Sequence, residues 1–185
     1  VEAHSHVTYC DMAHFRDLGQ IPLEEHTLLT LRNVKLMLDS GFTSLYSAAF
    51  FEKSPRSLIE RALRSLPTES GYAAVLRDVL AWHATHPDDW TSAWLMLEEK
   101  WDKNDACPDG SLQPFNIDAK LNGAYIALGL IYGRGDFART LEVATRAGQD
   151  SDCNPSSAAG VLGVVLGYKA IPAEWKSGIA ALADK

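Results

Sequence analysis

From Phe50 onward the chain is a series of helical segments cut by Pro and Gly, and this punctuation limits the fold more than any other feature. The apolar spacing and the breaks between segments predict seven helices, over Pro55–Ser65, Tyr72–His83, Trp90–Lys100, Ala119–Tyr132, Asp136–Ala147, Pro155–Tyr168 and Ala173–Leu182. Ser54 followed by Pro55 is a capping residue ahead of a residue suited to the first helical position. This part is expected to be almost wholly α. Upstream the texture differs. Val1–Val7 suits an extended strand, Leu28, Leu29, Leu31, Val34, Leu36, Met37 and Leu38 recur as in a helix, Gly41 stops it, and Phe42–Tyr46 suits a second strand. The expectation is a mainly α fold preceded by a short β-α-β segment, with the change of texture at about Ala48–Phe51. The longest gap, Trp101–Asp118, holds Pro108, Gly110 and Pro114, and loops of that length are more often functional than idle.

The 185 residues, 46% hydrophobic and 22% charged, suffice for one domain or two small ones. A formal net charge of -7 argues against nucleic acid as a partner, because that affinity rests on Lys and Arg displacing condensed cations. No apolar run approaches the roughly 20 residues of a membrane span, and nothing near Val1 resembles a secretion signal. A soluble protein with no membrane partner is expected. Cys10, Cys107 and Cys153 are odd in number and widely spaced, which argues against a disulfide framework and for a reducing, cytoplasmic compartment. A chain that begins at Val1 reads as processed or partial.

The residues that point to chemistry lie in Ala147-Gly148-Gln149-Asp150-Ser151-Asp152-Cys153-Asn154-Pro155. Asp150 and Asp152 stand two apart just before a helix, with Asn154 as the expected N-cap and Pro155 as its first residue. In a tight turn two such side chains can converge on one cation, and hard oxygens select magnesium, calcium or manganese over zinc. The spacing alone favours a plainer reading, since acidic residues ahead of a helix are stabilised by its dipole and are common in loops. Behind the turn, Gly160, Gly163 and Gly167 suggest close packing by neighbouring helices.

Three blocks in fixed order carry a family likeness: Leu121-Asn122-Gly123-Ala124-Tyr125 through Tyr132-Gly133-Arg134-Gly135-Asp136-Phe137, then Gly148-Gln149-Asp150-Ser151-Asp152-Cys153-Asn154, then Gly167-Tyr168 with Ile171-Pro172-Ala173-Glu174-Trp175. Together with Ala73–Val79 and His86–Trp90 they resemble bacterial ADP-ribosylglycohydrolases over residues 50–185. The resemblance implies an all-α fold holding two magnesium ions that grip the ribose of an ADP-ribosyl group while its glycosidic bond is hydrolysed. The partner would be an ADP-ribosylated protein or a small ADP-ribose-like molecule. It also implies Asp150 and Asp152 as catalytic metal ligands and Asn122 and Asn154 as residues toward the bound group. Two departures stand out. Cys153 offers a soft sulfur where the resemblance implies a Thr or Ser hydroxyl. The Thr-Asp-Asp motif that supplies the family's other ligands, from the N-terminal part of its domain, does not occur in this chain, and Asp88-Asp89 follows Pro87 in another place. Weak magnesium binding by this chain alone is therefore expected.

At the opposite end, His4 and His6 point the same way along the expected strand, and His is a common metal ligand. With the helix that follows and Met37–Ser44, residues 1–48 resemble the opening β-α-β unit of a metal-dependent amidohydrolase, which implies zinc or a similar ion at His4 and His6. So short a stretch cannot close a barrel. Three readings follow: a magnesium-dependent ADP-ribosylglycohydrolase-like hydrolase, a metal-dependent amidohydrolase fragment, and a non-catalytic packing or interaction module. Lesser signals include the five tryptophans, expected mostly in packing, and Arg134-Gly135-Asp136, expected as a plain helix-to-helix turn. His83 and His86 are expected on a solvated turn, and Phe115, Asn116 and Asp118 near a nucleotide pocket.

Overall fold

The computed structural model describes residues 42–103 and 118–177. Among the described residues there is no strand, and there are seven α-helices: α1 (Phe42–Ala49), α2 (Pro55–Leu63), α3 (Gly71–Thr85), α4 (Trp90–Leu97), α5 (Ala119–Gly133), α6 (Phe137–Arg146) and α7 (Cys153–Leu166). A π-helical turn, Glu98–Asp102, continues α4, and a 3-10 turn spans Ala173–Trp175.

The arrangement follows from α5. Every residue from Leu121 to Gly133 is buried, so this helix has no face to give to solvent and must be enclosed. On one side α3 and α4 bring Val75, Leu76, Val79, Ala93 and Leu97 against Leu121, Ala124, Tyr125 and Leu128. On the other, α1, α2, α6 and α7 bring Leu45, Leu58, Ala144, Val161 and Leu162 against Ile126 and Leu130. The closest neighbour is α6. A Cβ at Gly133 would lie 2.0 Å from Thr140 Oγ1 and 2.8 Å from its Cα, and one at Gly129 would lie 2.8 Å from Ala144 Cβ. The Arg134-Gly135-Asp136 turn between them is structural, as expected. Arg134 and Gly135 take positive φ of 54° and 82°, and Asp136 caps α6 by accepting from Arg139 N at 2.7 Å.

Three expectations are corrected. Phe42–Tyr46 is not a strand but the start of α1, because Leu45, Ala48 and Ala49 are buried with the spacing of a helix while Ser47 is exposed. The short β-α-β segment thus loses its second strand; its first strand and helix fall outside the described residues. Helix α1 packs against α2 and α7, and the Tyr46 ring occupies the space beside Gly160, where a Cβ would meet Tyr46 Oη at 2.5 Å. The last expected helix, Ala173–Leu182, begins as a 3-10 turn that gives way to a turn at Lys176 and Ser177, and the rest lies outside the described residues. His83 is half-buried rather than solvated, set edge-on to the Tyr132 ring, and burial lowers its pKa. His86 is exposed and stacks on Trp82. Trp82, Trp90, Trp94 and Trp101 pack against the core, whereas Trp175 is 46% exposed beside Phe137.

Two outcomes follow. Gly133→Ala should lower Tm, because overpacking against Thr140 costs about 1–3 kcal/mol, against about 1 kcal/mol gained from helix propensity; a higher Tm would mean that α5 and α6 separate freely. The second concerns Glu98, whose carboxylate accepts from Tyr125 Oη. Burial raises its pKa above 4.5, opposed by that bond and reinforced by the negative charge of Asp102. The folded chain therefore binds this proton more tightly than the unfolded one, so the associated stability is present in acid and lost as pH rises through the folded pKa. Melting Glu98→Gln and the parent from about pH 4 to about pH 7 should show the Gln variant gaining on the parent. A constant difference in Tm would contradict this.

Candidate metal centre

The segment from Ala147 to Asp152 is a tight turn between α6 and α7. Gly148 and Gln149 have positive φ, 95° and 51°, which reverse the chain within two residues. For Gln149 this is a conformation that residues with a Cβ seldom adopt. Ser151 N donates to Gln149 O at 3.0 Å and Asn154 N to Asp150 O at 3.0 Å. The indole of Trp94 donates to Ala147 O at 2.7 Å and so ties the start of the turn to α4.

Helix α7 starts earlier than its Asn-Pro pair suggests. Asn154 is inside the helix instead of capping it, and Asp152 occupies the N-cap position without a side-chain capping bond. The capping work falls to Asp150, whose Oδ1 accepts from Cys153 N at 3.1 Å. Asn154, 1% exposed, instead turns its Nδ2 to Asn122 Oδ1 at 2.7 Å.

Asn122 sits on the first turn of α5. Its Nδ2 donates to Asp118 O at 3.0 Å and to Gln149 Oε1 at 3.1 Å, and its Oδ1 also accepts from Asp150 N at 3.2 Å. Asp118 caps α5, accepting from Lys120 N at 2.8 Å and Leu121 N at 3.0 Å. Gln149 Nε2 reaches Asp102 Oδ1 on the π-helical turn at 3.4 Å. Asn122, Asn154 and Asp150 form one network: where the sequence placed Asn122 and Asn154 toward a bound group, their side chains are bonded to each other and to the turn. Gln149, Asp102 and Trp94 were missed. Only Gln149 had a signal, as the residue between Gly148 and the first aspartate.

Among the described residues, Asp150, Asp152 and Cys153 form a group able to hold a metal ion, with one ligand atom from each lying within 4.8 Å of the others. Asp150 and Cys153 are half-buried and Asp152 is exposed. Ligands of an octahedral magnesium ion lie about 3 Å apart when adjacent and about 4.2 Å when opposite, a spacing comparable to that of this group. The two carboxylates fit a hard divalent cation. Cys153 does not. Burial pushes its thiol up to about 11, helped by its hydrogen bond to Asp150 and by the charges of Asp150 and Asp152. In the metal-free chain it stays a thiol at neutral pH, and its soft sulfur is a poor match for a hard cation.

Asp88 and Asp89 serve elsewhere. Asp88 pairs with Arg134, and Asp89 caps α4 through Ser92 N at 3.0 Å, its carboxyl held below the usual range by bonds from Thr91 and Ser92. His4 and His6, with the zinc proposed for them, lie outside the described residues, as do Phe115 and Asn116. Surface clefts of about 500 Å³ (Ser47, Ala48, Phe51, Arg61, Arg64, Ser65) and about 370 Å³ (Trp82, Ser92, Leu95, Met96, Glu99, Lys100) are lined by other residues than the aspartates. None of the described helices is long and apolar enough to cross a membrane.

The described residues are thus a helical domain with two aspartates held close together at the turn ahead of α7. The family model described as ADP-ribosylglycohydrolase matches residues 25–185, and the chain belongs to that family. The match extends upstream of Phe50 and includes α1. No curated protein and no solved structure matches the chain.

The protonated thiol has a measurable consequence. Alkylation of Cys153 by iodoacetamide, followed by peptide mass spectrometry, should be slow at pH 8 and rise about tenfold per pH unit toward pH 11. A rate already at its plateau at pH 8 would show a thiolate and contradict the raised pKa.

Proposed function

We propose that the chain hydrolyses the glycosidic bond of an ADP-ribosyl group, on a protein or on a small molecule, with Asp150 and Asp152 holding magnesium. The observation that carries this reading is the pair of hard-oxygen side chains brought together at a braced turn in a member of this family. Magnesium bound there would orient the ribose hydroxyls and a water, and would stabilise charge as the bond opens toward an oxocarbenium-like state.

The chain's own residues divide the work. Asp150 is held on three sides, through its amide by Asn122, through its carbonyl by Asn154 N and through its carboxylate by Cys153 N. One carboxylate is thereby placed before any ligand arrives, which lowers the ordering cost of binding. Asp152 is exposed, at the N-cap position of α7. Cys153 takes the role of a hydrogen-bond donor to Asp150 through its retained proton. The two carboxylates supply part of the ligand set of the family's two ions, and the chain has no Thr-Asp-Asp motif to supply the rest. Weak affinity for magnesium belongs to this reading, as do a cytoplasmic setting that keeps Cys153 reduced and a partner that is neither nucleic acid nor membrane.

Calorimetric titration with ADP-ribose tests the proposal. Magnesium should increase the heat released by the parent chain, and Asp150→Ala should abolish the increase. Equal heats with and without magnesium, in parent and variant alike, would remove the reading. They would leave the packing or interaction module and the amidohydrolase fragment as the competing descriptions.

A further inference from the structure

Beyond the carboxylates themselves, the acidic turn depends most on one carboxamide. Asn122 is 9% exposed, and each of its bonding positions is taken: Oδ1 accepts from Asp150 N and Asn154 Nδ2, and Nδ2 donates to Asp118 O and Gln149 Oε1. A carboxamide offers two N–H groups and two acceptor positions, so a fully bonded Asn acts through its neighbours rather than on a bound group. Burying its amide costs free energy that an apolar residue would not. The bonds to the turn offset that cost.

Those bonds reach the residues that define the turn. Gln149 has a positive φ of 51° and follows Gly148 at 95°, so the backbone leading into Asp150 adopts a conformation the local sequence does not favour. The bond from Asp150 N to Asn122 Oδ1 fixes the peptide on which the Asp150 side chain is mounted. The bond from Asn154 Nδ2 to the same oxygen fixes the far side of the turn. Both anchor to α5, the most deeply enclosed element described.

We infer that Asn122 is the positioning residue of this site: its carboxamide sets where the Asp150 carboxylate stands, and metal affinity depends on it although it touches no ion. The inference rests on the reading of Asp150 and Asp152 as metal ligands. Outer partners of metal ligands commonly change affinity by about 10–100-fold when removed.

The test is Mn²⁺ binding by the full chain, read from the electron paramagnetic resonance of free Mn²⁺, with circular dichroism confirming the fold at the measuring temperature. Asn122→Ala should weaken binding about tenfold or more. Asn122→Asp keeps the acceptor facing Asp150 N and Asn154 Nδ2 and should lose less than that. A loss below tenfold in folded Asn122→Ala overturns the positioning role. Should Asn122→Ala fail to fold, Asn122→Ser, whose hydroxyl is too short to reach the Asp150 amide, decides, and a loss below tenfold in that variant overturns it. Asp150→Ala separates the two levels of the argument. If Mn²⁺ binding is absent from the parent, or survives Asp150→Ala, the metal reading falls and this inference with it. If binding is lost in Asp150→Ala and intact in Asn122→Ala, only the positioning role falls.

Discussion

The enclosure of α5 on every side is the constraint from which the rest of the structure follows. A helix with thirteen consecutive buried residues, Leu121 to Gly133, is stable only inside a shell, and the surrounding helices supply it. Enclosure also makes the start of α5 a fixed point. Asp118 caps it, and one turn in, Asn122 reaches out to the loop between α6 and α7. The acidic turn is thus fastened to the least mobile kind of element a small helical domain has, which is the support that a precise binding geometry requires.

The electrostatics of the turn divide three acidic groups by task. Asp150 is half-buried and braced, and Asp152 is exposed. Asp102 stands across from Gln149 on a π-helical turn, a distortion often found near functional sites. Burial first, and then the hydrogen bond to Asp150 and the charges of Asp150 and Asp152, raise the pKa of Cys153. In the reading proposed above, the two carboxylates are the hard donors and the sulfur is not one of them. A thiol at this position therefore changes how the turn is braced without turning a hard site into a soft one.

Much of the fold was legible because the helical period and the Pro and Gly breaks coincide. The start of α2 at Pro55, of α4 at Trp90 and of α5 at Ala119 stand where capping residues and periodicity place them. The failures are local contests. Phe42–Tyr46 is too short to separate alternation from helical spacing, and burial of Leu45 with Ala48 and Ala49 decided for a helix. Asn154 carries a strong capping signal, but its side chain is claimed by Asn122 from another helix, and Asp150 takes over the cap. Of the site, Asp150 and Asp152 were readable from spacing and family blocks. The bonds of Asn122, Gln149 and Asp102 connect α5, the turn and the π-helical turn, and tertiary pairing of that kind leaves no period in a sequence. The residues of the second expected site, His4 and His6, lie outside the described residues.

The measurement that bears most directly on this account is anomalous diffraction from crystals of the chain soaked in Mn²⁺. A peak bonded at about 2.0–2.6 Å to oxygens of both Asp150 and Asp152, with Asn122 still bonded to the Asp150 amide, is the predicted result. Peaks confined to other surfaces, with the two carboxylates turned apart, would contradict it.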